Sequence, residues 1–497
     1  MLTRLTAYLV FSLLVALWDA LHAADSPPAT GPNIIVVMPD DVGYGDYSSL
    51  GAPILRTPAV DGFKKQSQLF TQFHLSPTCS PTRAALLSGR HEFKNGVTHT
   101  IFERERMSLE TITLSQVLKT AGYTTGIFGK WHLGDEEAYR PENRGFDEVY
   151  IHGGGGIGQT YSGSCGDVPG NTNINPTLWH NGNFVKTEGY CTDVFFEQAI
   201  EWIDGNLAAE KPFFAFIPLN AAHTPLVLPK KYYQHYLGQP GVSEDVAKFY
   251  GMIENIDTNF GKLLAMLDKR GVADNTLVIY FGSDNGGSAP ATKIFNAGMR
   301  GSKAMPYQGG TRVPSFFRWP ASGIQAGTDC DALAAHIDIF PTLAGIAGAT
   351  LSAEVKKQVE GRNLLPLLKN PKAEWPERTL VHHVGRWGKG ESPEGSKYKE
   401  CAIRNSRFSL VNNTELYDLK ADPGQATNVI ADHPDVVASL RATYEQWWQD
   451  VQPYLVNETA IGPTVNPFKA MYWKKFGGGP TAADMKRMDP TSTIIPH

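Results

Sequence analysis

Residues 33–41 read NIIVVMPDD, an uncharged run of six residues followed by a proline and two aspartates. The run has the length and the β-branched composition of a strand that is buried on both faces. Such strands belong to parallel sheets covered by helices, so the stretch predicts an α/β fold. Asp40 and Asp41 would then lie beyond the carboxyl end of the strand, where α/β folds place their binding sites.

Three more apolar runs are each followed by polar residues at the same end. They are residues 124–128 with Lys130 and His132, residues 213–218 with Asn220 and His223, and residues 276–281 with Asp284 and Asn285. Parallel strands bring their carboxyl ends to one edge of a sheet, so these side chains are expected to meet. Helical patterns at residues 192–207 and 247–270 alternate with the runs. The predicted fold class is therefore α/β, with a large, mainly parallel or mixed sheet sandwiched by helices.

Composition excludes several other classes of protein. The 497 residues are 42% hydrophobic, which allows a large catalytic domain and a smaller second one. Lys and Arg total 45 against 50 Asp and Glu, for a net charge of -5. A chain this balanced has no general attraction to nucleic acid or anionic membranes, so no nucleic-acid partner is expected. An anionic substrate must be bound by a few convergent cations.

The first 23 residues have the pattern of a secretory signal peptide. Arg4 precedes an apolar run from residue 7 to residue 18, and small residues follow at the expected cleavage site. The run is too short to span a bilayer, and no other stretch approaches membrane length. The prediction is an exported protein without a stable membrane span, in a periplasmic, secreted or lysosome-like compartment according to the host.

Export gives meaning to the five cysteines, since disulfides form in oxidising compartments. Cys165 and Cys191 flank a loop rich in glycine and asparagine, and we predict that they staple it. A second disulfide between Cys330 and Cys401 is suggested only by elimination of the other cysteines. That assignment leaves Cys79 without a partner.

Residues 76–90, SPTCSPTRAALLSGR, predict a helix that begins near Cys79. Ser80 is a candidate N-cap, and Gly89 ends the helix. Cys79 would then lie at a helix N-terminus, which favours an anion, with Arg83 one turn further on. The pattern alone fits either a reactive thiolate beside a cation or an ordinary capped helix.

The same residues carry a resemblance to a known family. Cys79 to Arg83, running on to the LSGR of residues 87–90, resembles the signature of the type I sulfatases of the alkaline phosphatase-like superfamily. In that family a maturation enzyme reads C-x-P-x-R and oxidises the cysteine to formylglycine. The resemblance implies this enzyme as a partner. Thr82 stands where the family most often has serine, but the core pattern is kept.

The resemblance extends over nearly all of the mature chain. It includes residues 32–43, 129–134, 144–147, 223–225, 284–286, 300–303, 309–314 and 415–423. It implies a catalytic domain at residues 24–375 and a smaller α+β domain at 376–497, built on a short antiparallel sheet and contributing to the substrate pocket. We place the boundary near residue 375, at the proline-containing segment 370–377 that follows residues 364–368. Gln308 stands where the family usually has glutamate, so one local contact that supports the active-site lysine segment is expected to differ.

Four residues form the metal site that the resemblance implies. Asp40, Asp41, Asp284 and Asn285 offer only oxygen ligands, which suits one Ca²⁺, with Mg²⁺ as the alternative. The set contains no sulfur, so zinc is disfavoured.

The catalytic residues that the resemblance implies are Cys79, Arg83, Lys130, His132, His223 and Lys303. In the family's mechanism one hydroxyl of hydrated formylglycine attacks sulfur, and the other then loses its proton and expels sulfate. His132 is the candidate to take that proton, while Arg83 and Lys130 steady the diol. His223 and Lys303 would bind the sulfate and protonate the leaving alcohol.

Two polar loops are candidates for substrate binding. Residues 152–191 are rich in glycine, and residues 382–398 carry Arg386 and Trp387. An arginine beside an exposed tryptophan suits a sulfated sugar, although a mobile surface loop fits the same pattern equally well.

The favoured function is hydrolysis of an aryl sulfate or, preferably, a carbohydrate sulfate ester. One alternative is a formylglycine-dependent phosphonate monoester or phosphodiester hydrolase. Another is a sulfated-glycan binding protein without turnover. The presence of both Lys130 and Lys303 favours the sulfatase, and no catalytic residue is missing.

Overall fold

A computed structural model describes residues 31–489. The strands are β1 Asn33–Met38, β2 Gln68–His74, β3 Thr124–Lys130, β4 Glu148–His152, β5 Thr177–His180, β6 Asn183–Lys186, β7 Phe213–Pro218, β8 Thr276–Phe281, β9 Arg312–Arg318, β10 Thr328–Cys330, β11 Ala334–Ala335, β12 Leu380–His383, β13 Cys401–Arg404, β14 Phe408–Val411 and β15 Glu415–Asp418. The helices are α1 Pro58–Lys65, α2 Cys79–Ser88, α3 Leu114–Thr120, α4 Cys191–Ala208, α5 Glu244–Lys269, α6 Ala289–Thr292, α7 Gln308–Thr311, α8 Ile339–Ile346, α9 Ala353–Gln358, α10 Leu365–Lys369, α11 Pro434–Val451, α12 Pro467–Phe476 and α13 Ala482–Met488.

The strands form one large mixed sheet and one small antiparallel sheet. The large sheet runs β10-β2-β9-β8-β1-β7-β3-β4-β5-β6, and β11 adds to β2. The strands β8, β1, β7 and β3 are neighbours and run parallel. These are the four strands predicted from the sequence, so their carboxyl ends share one edge as expected.

Side chains alternate between the two faces of the large sheet, and each face has its own core. Ile34 and Val36 face α2, α3 and α8, and their cluster includes Leu86 of α2. Ile35 and Val37 lie in a second cluster that includes residues of α1, α4 and α5. This double burial explains why the central strands read as unbroken apolar runs. The α/β sandwich predicted from the sequence is confirmed.

The small sheet runs β12-β13-β14-β15 with every pair antiparallel. Helix α11 packs against it through Tyr444 and Trp448, which share a core with Ile403 and Leu410. This is the short antiparallel sheet expected in the C-terminal region. Within residues 31–489 no helix is long and apolar enough to cross a membrane. The predicted signal peptide lies outside the described residues.

Candidate active site

Helix α2 places Cys79 at its first turn and directs it toward the carboxyl edge of the large sheet. The N-cap is Thr78, in extended conformation and without a side-chain capping bond. The expectation that Ser80 caps the helix is wrong, because its hydroxyl donates instead to the carbonyl oxygen of His132 at 2.7 Å. Gly89 ends the helix in the left-handed region, as predicted, with φ 70°.

His132 lies beside Cys79. Its Nδ1 is 3.6 Å from the Cys79 Sγ, and its Nε2 is 2.7 Å from the carbonyl oxygen of Thr100. A carbonyl only accepts, so Nε2 carries the hydrogen and Nδ1 presents a lone pair to residue 79. Burial, together with Lys130 and Arg83, holds the pKa of His132 well below its ordinary value. The ring is therefore a neutral proton acceptor, held at a left-handed φ of 61°.

Arg83 and Lys130 contact two different buried carboxylates, those of Asp284 and Asp40. Arg83 Nε donates to Asp284 Oδ2 at 2.8 Å, and its Nη1 donates to the carbonyl oxygen of Lys130 at 2.6 Å. Lys130 Nζ lies 2.5 Å from Asp40 Oδ2. Burial opposes the charge of Lys130, but Asp40 and Cys79 outweigh it and raise the pKa of the ammonium. Lys130 therefore keeps its positive charge beside Asp40, and Arg83 pairs with Asp284.

Three carboxylates lie together at the ends of β1 and β8. Asp40, Asp41 and Asp284 each place one oxygen within 4.8 Å of the others. Asp40 Oδ1 and Asn285 Oδ1 are buried and have no hydrogen-bond partner. Burial and the neighbouring Asp40 raise the pKa of Asp284 to about 7. A hard divalent cation would satisfy both free oxygens and the crowded negative charge, so these four residues fit one.

Lys303 and His223 lie on the side of Asp41. Lys303 Nζ is 2.6 Å from Asp41 Oδ1, and His223 Nε2 is 4.0 Å from Asp41 Oδ2. Burial opposes the charge of Lys303, yet Asp41 raises the pKa of the ammonium overall. His223 Nδ1 donates to the carbonyl oxygen of Thr224 at 2.6 Å. Burial and Lys303 lower the pKa of His223, so Nε2 accepts until an anion arrives to favour the protonated ring.

A cavity of about 330 Å³ opens over Cys79, His132, His223 and Lys303. The sequence predicted these four and Arg386, all of which line the cavity. It missed the other polar lining residues, among them His99, Thr100, Gln159 and Tyr161. No motif or strand end marks His99. Gln159 and Tyr161 belong to the glycine-rich loop, which does reach the cavity as expected.

The expected exposed Trp387 is buried, with 5% of its surface accessible. Its indole Nε1 donates to Glu458 Oε2 at 2.7 Å, and the guanidinium of Arg104 lies 4.3 Å from its ring centroid. The expected exposure of Trp387 is therefore wrong, while its contact with substrate stays a prediction, since the residue lines a groove of about 900 Å³ next to the cavity. Its ring is occupied by contacts that hold the 385–388 turn in place.

The predicted disulfides are also wrong, because all five cysteines are free in the described structure. Cys191 begins α4, and its thiol faces Asn220 Oδ1 at 3.6 Å instead of Cys165. Cys330 lies at the edge of the large sheet, 3.6 Å from the carbonyl oxygen of Pro371. Cys401 belongs to the separate core of the small sheet, so it does not pair with Cys330.

Two buried aspartates fasten the glycine-rich loop where a disulfide was expected. Asp135 accepts backbone N–H groups from Gly154 and Gly166 at 3.1 and 3.0 Å through Oδ2. Asp167 accepts those of Gly153 and Gly158 at 3.1 and 2.8 Å. Burial raises the pKa of Asp135 to about 8 and that of Asp167 to about 6.

Gln308, the departure from the family pattern, is also accommodated. Its Nε2 donates to the carbonyl oxygen of Pro423 at 2.6 Å, and its backbone N–H donates to Gln425 at 2.8 Å. The side chain thus fastens the 300–310 segment to the C-terminal region. Gly286 lets that segment approach the metal-ligand loop, because a Cβ there would lie 2.1 Å from the carbonyl oxygen of Gly309.

Comparison with known proteins agrees with this geometry. The family model described as sulfatase matches residues 32–349, and a model of the C-terminal region of N-sulphoglucosamine sulphohydrolase matches residues 301–450. The N-acetylgalactosamine-6-sulfatase of Rattus norvegicus is 31% identical over 73% of this chain and 70% of its own length. Arylsulfatase G of Rattus norvegicus is 28% identical over 80% of each chain.

Among solved structures, the fold is similar to Ps i-CgsB in complex with k-i-k-neocarrahexaose. That structure has a TM-score of 0.74 and 28% identity, and the match covers 90% of this chain and 97% of the other.

Proposed function

The chain belongs to the sulfatase family, and from that premise we propose that it hydrolyses sulfate esters of carbohydrates through residue 79, oxidised to formylglycine. The observation that carries the proposal is the placement of Cys79. It stands at the N-terminus of α2, 3.6 Å from a neutral histidine. Lys130 and Lys303, which pair with Asp40 and Asp41, both interact electrostatically with Cys79. Carbohydrate substrates are favoured by the names of relatives such as N-acetylgalactosamine-6-sulfatase.

Residue 79 and the metal ligands would supply the groups that bind and attack the ester. Oxidised and hydrated, residue 79 would present one hydroxyl whose oxygen attacks sulfur as the sulfur–oxygen bond of the ester breaks. The proton of that hydroxyl would pass to a carboxylate of the set Asp40, Asp41 and Asp284, and the second hydroxyl would expel sulfate. Asp40, Asp41, Asp284 and Asn285 would hold one calcium or magnesium ion, which polarises a sulfate oxygen when bound. Arg83 and Lys130 hold that region together through their contacts with Asp284 and Asp40.

His132 is the base of the proposed reaction. Its Nδ1 faces residue 79 with a free lone pair, while the bond from Nε2 to Thr100 fixes the tautomer. It would accept the proton of the second hydroxyl as the carbon–oxygen bond to sulfate breaks, which restores the aldehyde. Because its pKa is far below neutral, the ring is ready to accept a proton at physiological pH.

Lys303 is the acid of the proposed reaction. It is charged and lines the cavity over residue 79. When the sulfur–oxygen bond of the ester breaks, the leaving alcohol would take a proton from this ammonium. His223 would contribute a donor at Nε2 once the bound sulfate favours its protonated form. We also propose that the chain is exported, on the pattern of residues 1–23.

The test is sulfate release by protein co-produced with a formylglycine-generating enzyme. Mass spectrometry first establishes that residue 79 is formylglycine, and aryl and carbohydrate sulfates are then compared with phosphate diesters and phosphonate monoesters. Sulfate release that disappears in Cys79→Ala supports the proposal. Faster cleavage of the phosphorus esters would assign the chain to the rival class of phosphonate monoester or phosphodiester hydrolases. If no ester is cleaved, the alternative of a sulfated-glycan binding protein without turnover would stand.

A further inference from the structure

One wall of the cavity carries an arginine, Arg386, that has no acidic partner within the described residues. Arg386 Nη2 donates to Thr100 Oγ1 at 2.9 Å, and its Nε is buried with no hydrogen-bond partner. Within residues 31–489 no aspartate or glutamate forms an ion pair with this guanidinium. By contrast, Lys303 in the same cavity is neutralised by Asp41. A buried donor and an uncompensated charge are costly unless a ligand satisfies them.

The backbone holds Arg386 in this orientation by several contacts. Its φ is 59°, a left-handed conformation that costs free energy for a residue with a side chain. Its N–H donates to the carbonyl oxygen of Thr98 at 3.0 Å. Arg104 Nη1 donates to the carbonyl oxygen of Trp387 at 2.6 Å, and Arg104 Nε to Thr98 Oγ1 at 2.8 Å. The guanidinium is therefore preorganised on the same segment that forms the cavity wall.

His99 adds a second donor to this wall. Its Nδ1 accepts the backbone N–H groups of Thr100 and Ile101 at 2.8 and 3.2 Å. That arrangement leaves the ring hydrogen on Nε2 in the neutral form. Burial and the charges of Arg104 and Arg386 keep the pKa of His99 well below its ordinary value. The neutral ring lines the cavity as a donor and not as a base.

We propose that Arg386 and His99 bind a second anionic group of the substrate, a sulfate or carboxylate distinct from the ester that is hydrolysed. The inference rests on the proposed sulfatase function, which it narrows to substrates with at least two negative charges. The cavity of about 330 Å³ has room for roughly one sugar ring. Arg386 also lines a neighbouring groove of about 900 Å³, so the second anion belongs to the sulfated ring or to the ring joined to it.

Three substrates distinguish a second anion on the sulfated ring from one on the ring joined to it. A monosaccharide 6-sulfate carries one anion, a glucosamine 2-N,6-O-disulfate carries two on one ring, and a uronate-containing disaccharide 6-sulfate carries the second on the next ring. For each, kcat/KM is measured with the wild type, Arg386→Gln, Arg386→Lys and His99→Asn. Asparagine keeps an acceptor for the backbone N–H groups but removes the donor of Nε2. Arg56→Gln, at an exposed site that lines neither the cavity nor the groove, is the matched control.

The expected result is a preference of the wild type for one of the doubly charged substrates. In Arg386→Gln that preference falls by about tenfold or more, mainly through KM, because a charge-assisted hydrogen bond is lost. Lysine restores part of it, His99→Asn reduces it, and Arg56→Gln behaves as wild type. The substrate that shows the preference identifies which ring carries the anion.

Equal preference in the wild type and Arg386→Gln, with sulfate release intact, would overturn this inference and leave the proposed function standing. Absence of sulfate release from every ester, with residue 79 proven to be formylglycine, would overturn the proposed function instead. In that case calorimetric titration of Cys79→Ser with the same sugars still tests the anion site. Tighter binding of the doubly charged sugars that Arg386→Gln abolishes would support it, and equal binding would refute it.

Discussion

The imidazole of His132 connects residue 79 to the backbone of the substrate wall. Its Nδ1 lies 3.6 Å from the Cys79 sulfur, and its Nε2 lies 2.7 Å from the carbonyl oxygen of Thr100. One ring therefore contacts both residue 79 and the backbone of Thr100. The carbonyl fixes which nitrogen is free, and the free nitrogen is the one that faces the nucleophile position.

Replacing His132 with alanine should lower kcat by roughly 10²- to 10⁴-fold, because a positioned base is lost from the step that expels sulfate. The measurement is steady-state sulfate release from an aryl sulfate, with the melting temperature recorded in parallel. His180→Gln serves as the control, since His180 is a partly exposed histidine of β5 that contacts Glu148 and does not line the cavity. A His132→Ala enzyme with wild-type kcat would exclude this ring as the base.

The central strands could be read from the sequence because they are buried on both faces. The observed bounds of β1, β7 and β8 coincide with the predicted runs. A strand covered on both faces is apolar at every position, so no competing periodicity obscures it. The small sheet was predicted only through the family resemblance, since its strands of four residues leave too short a pattern.

Removal of divalent cations should abolish sulfate release and lower the melting temperature. Asp40, Asp41 and Asp284 would otherwise remain crowded, with Lys130 and Lys303 as partners. Calcium at about 100 times its Kd should stabilise the folded state by about 2.7 kcal/mol. Differential scanning calorimetry after chelation, with calcium, magnesium or zinc added back, measures the effect.

The same calcium-dependent shift should shrink in Asn285→Ala, since Asn285 Oδ1 is one of the free buried oxygens. The variant keeps every charge of the site, so a smaller calcium-dependent change in its melting temperature indicates the loss of a metal ligand and not a change in electrostatics. Protection by zinc but not by calcium or magnesium would contradict the assignment of an oxygen-only site for a hard cation.

Trp387→Phe should destabilise the protein by about 1–3 kcal/mol, because the indole hydrogen bond to Glu458 is lost and the carboxylate oxygen is left without it. Urea unfolding monitored by circular dichroism provides the free energy. A tryptophan that stacks on a sugar would behave differently. Its replacement would raise KM for a carbohydrate sulfate and leave the unfolding free energy unchanged.

The sequence predicted Arg386 as a substrate-binding residue, but the wall that it forms with His99 could not be inferred from spacing. Arg386 meets Thr100 across 286 positions of the sequence, and the contact depends on how the 385–388 turn lies against residues 98–104. Resemblance to a family fixes the residues that the chemistry shares. It leaves open those that vary with the substrate, and these lie on loops where tertiary contacts decide the conformation.

Four thiols should titrate in the matured, denatured protein without any reductant. The chain has five cysteines, the proposed maturation would convert residue 79, and the structure leaves the rest unpaired and buried. A thiol-specific reagent should react slowly with the native protein, since Cys165, Cys191, Cys330 and Cys401 have no exposed surface. Two thiols in the denatured protein, and a melting temperature that falls with reductant, would instead show one disulfide.

The stability of the glycine-rich loop should depend on pH through Asp135. Burial raises the pKa of this carboxyl from 3.8 to about 8, so the folded state holds a proton that the unfolded chain releases. Between these two values the free energy of unfolding must fall as pH rises, and above about pH 8 it levels off. We expect the melting temperature to drop by about 2–4 °C more in the wild type than in Asp135→Asn over this window.

Asparagine is a suitable replacement because one oxygen of Asp135, Oδ2, accepts the N–H groups of both Gly154 and Gly166. An amide oxygen in that position keeps both bonds and cannot ionise, so the variant should hold its stability as pH rises. Asp331→Asn, on the exposed surface, controls for loss of a carboxylate alone. Parallel pH profiles for the wild type and Asp135→Asn would mean that Asp135 is ionised in the folded protein, and that the loop is held by a charged carboxylate at neutral pH.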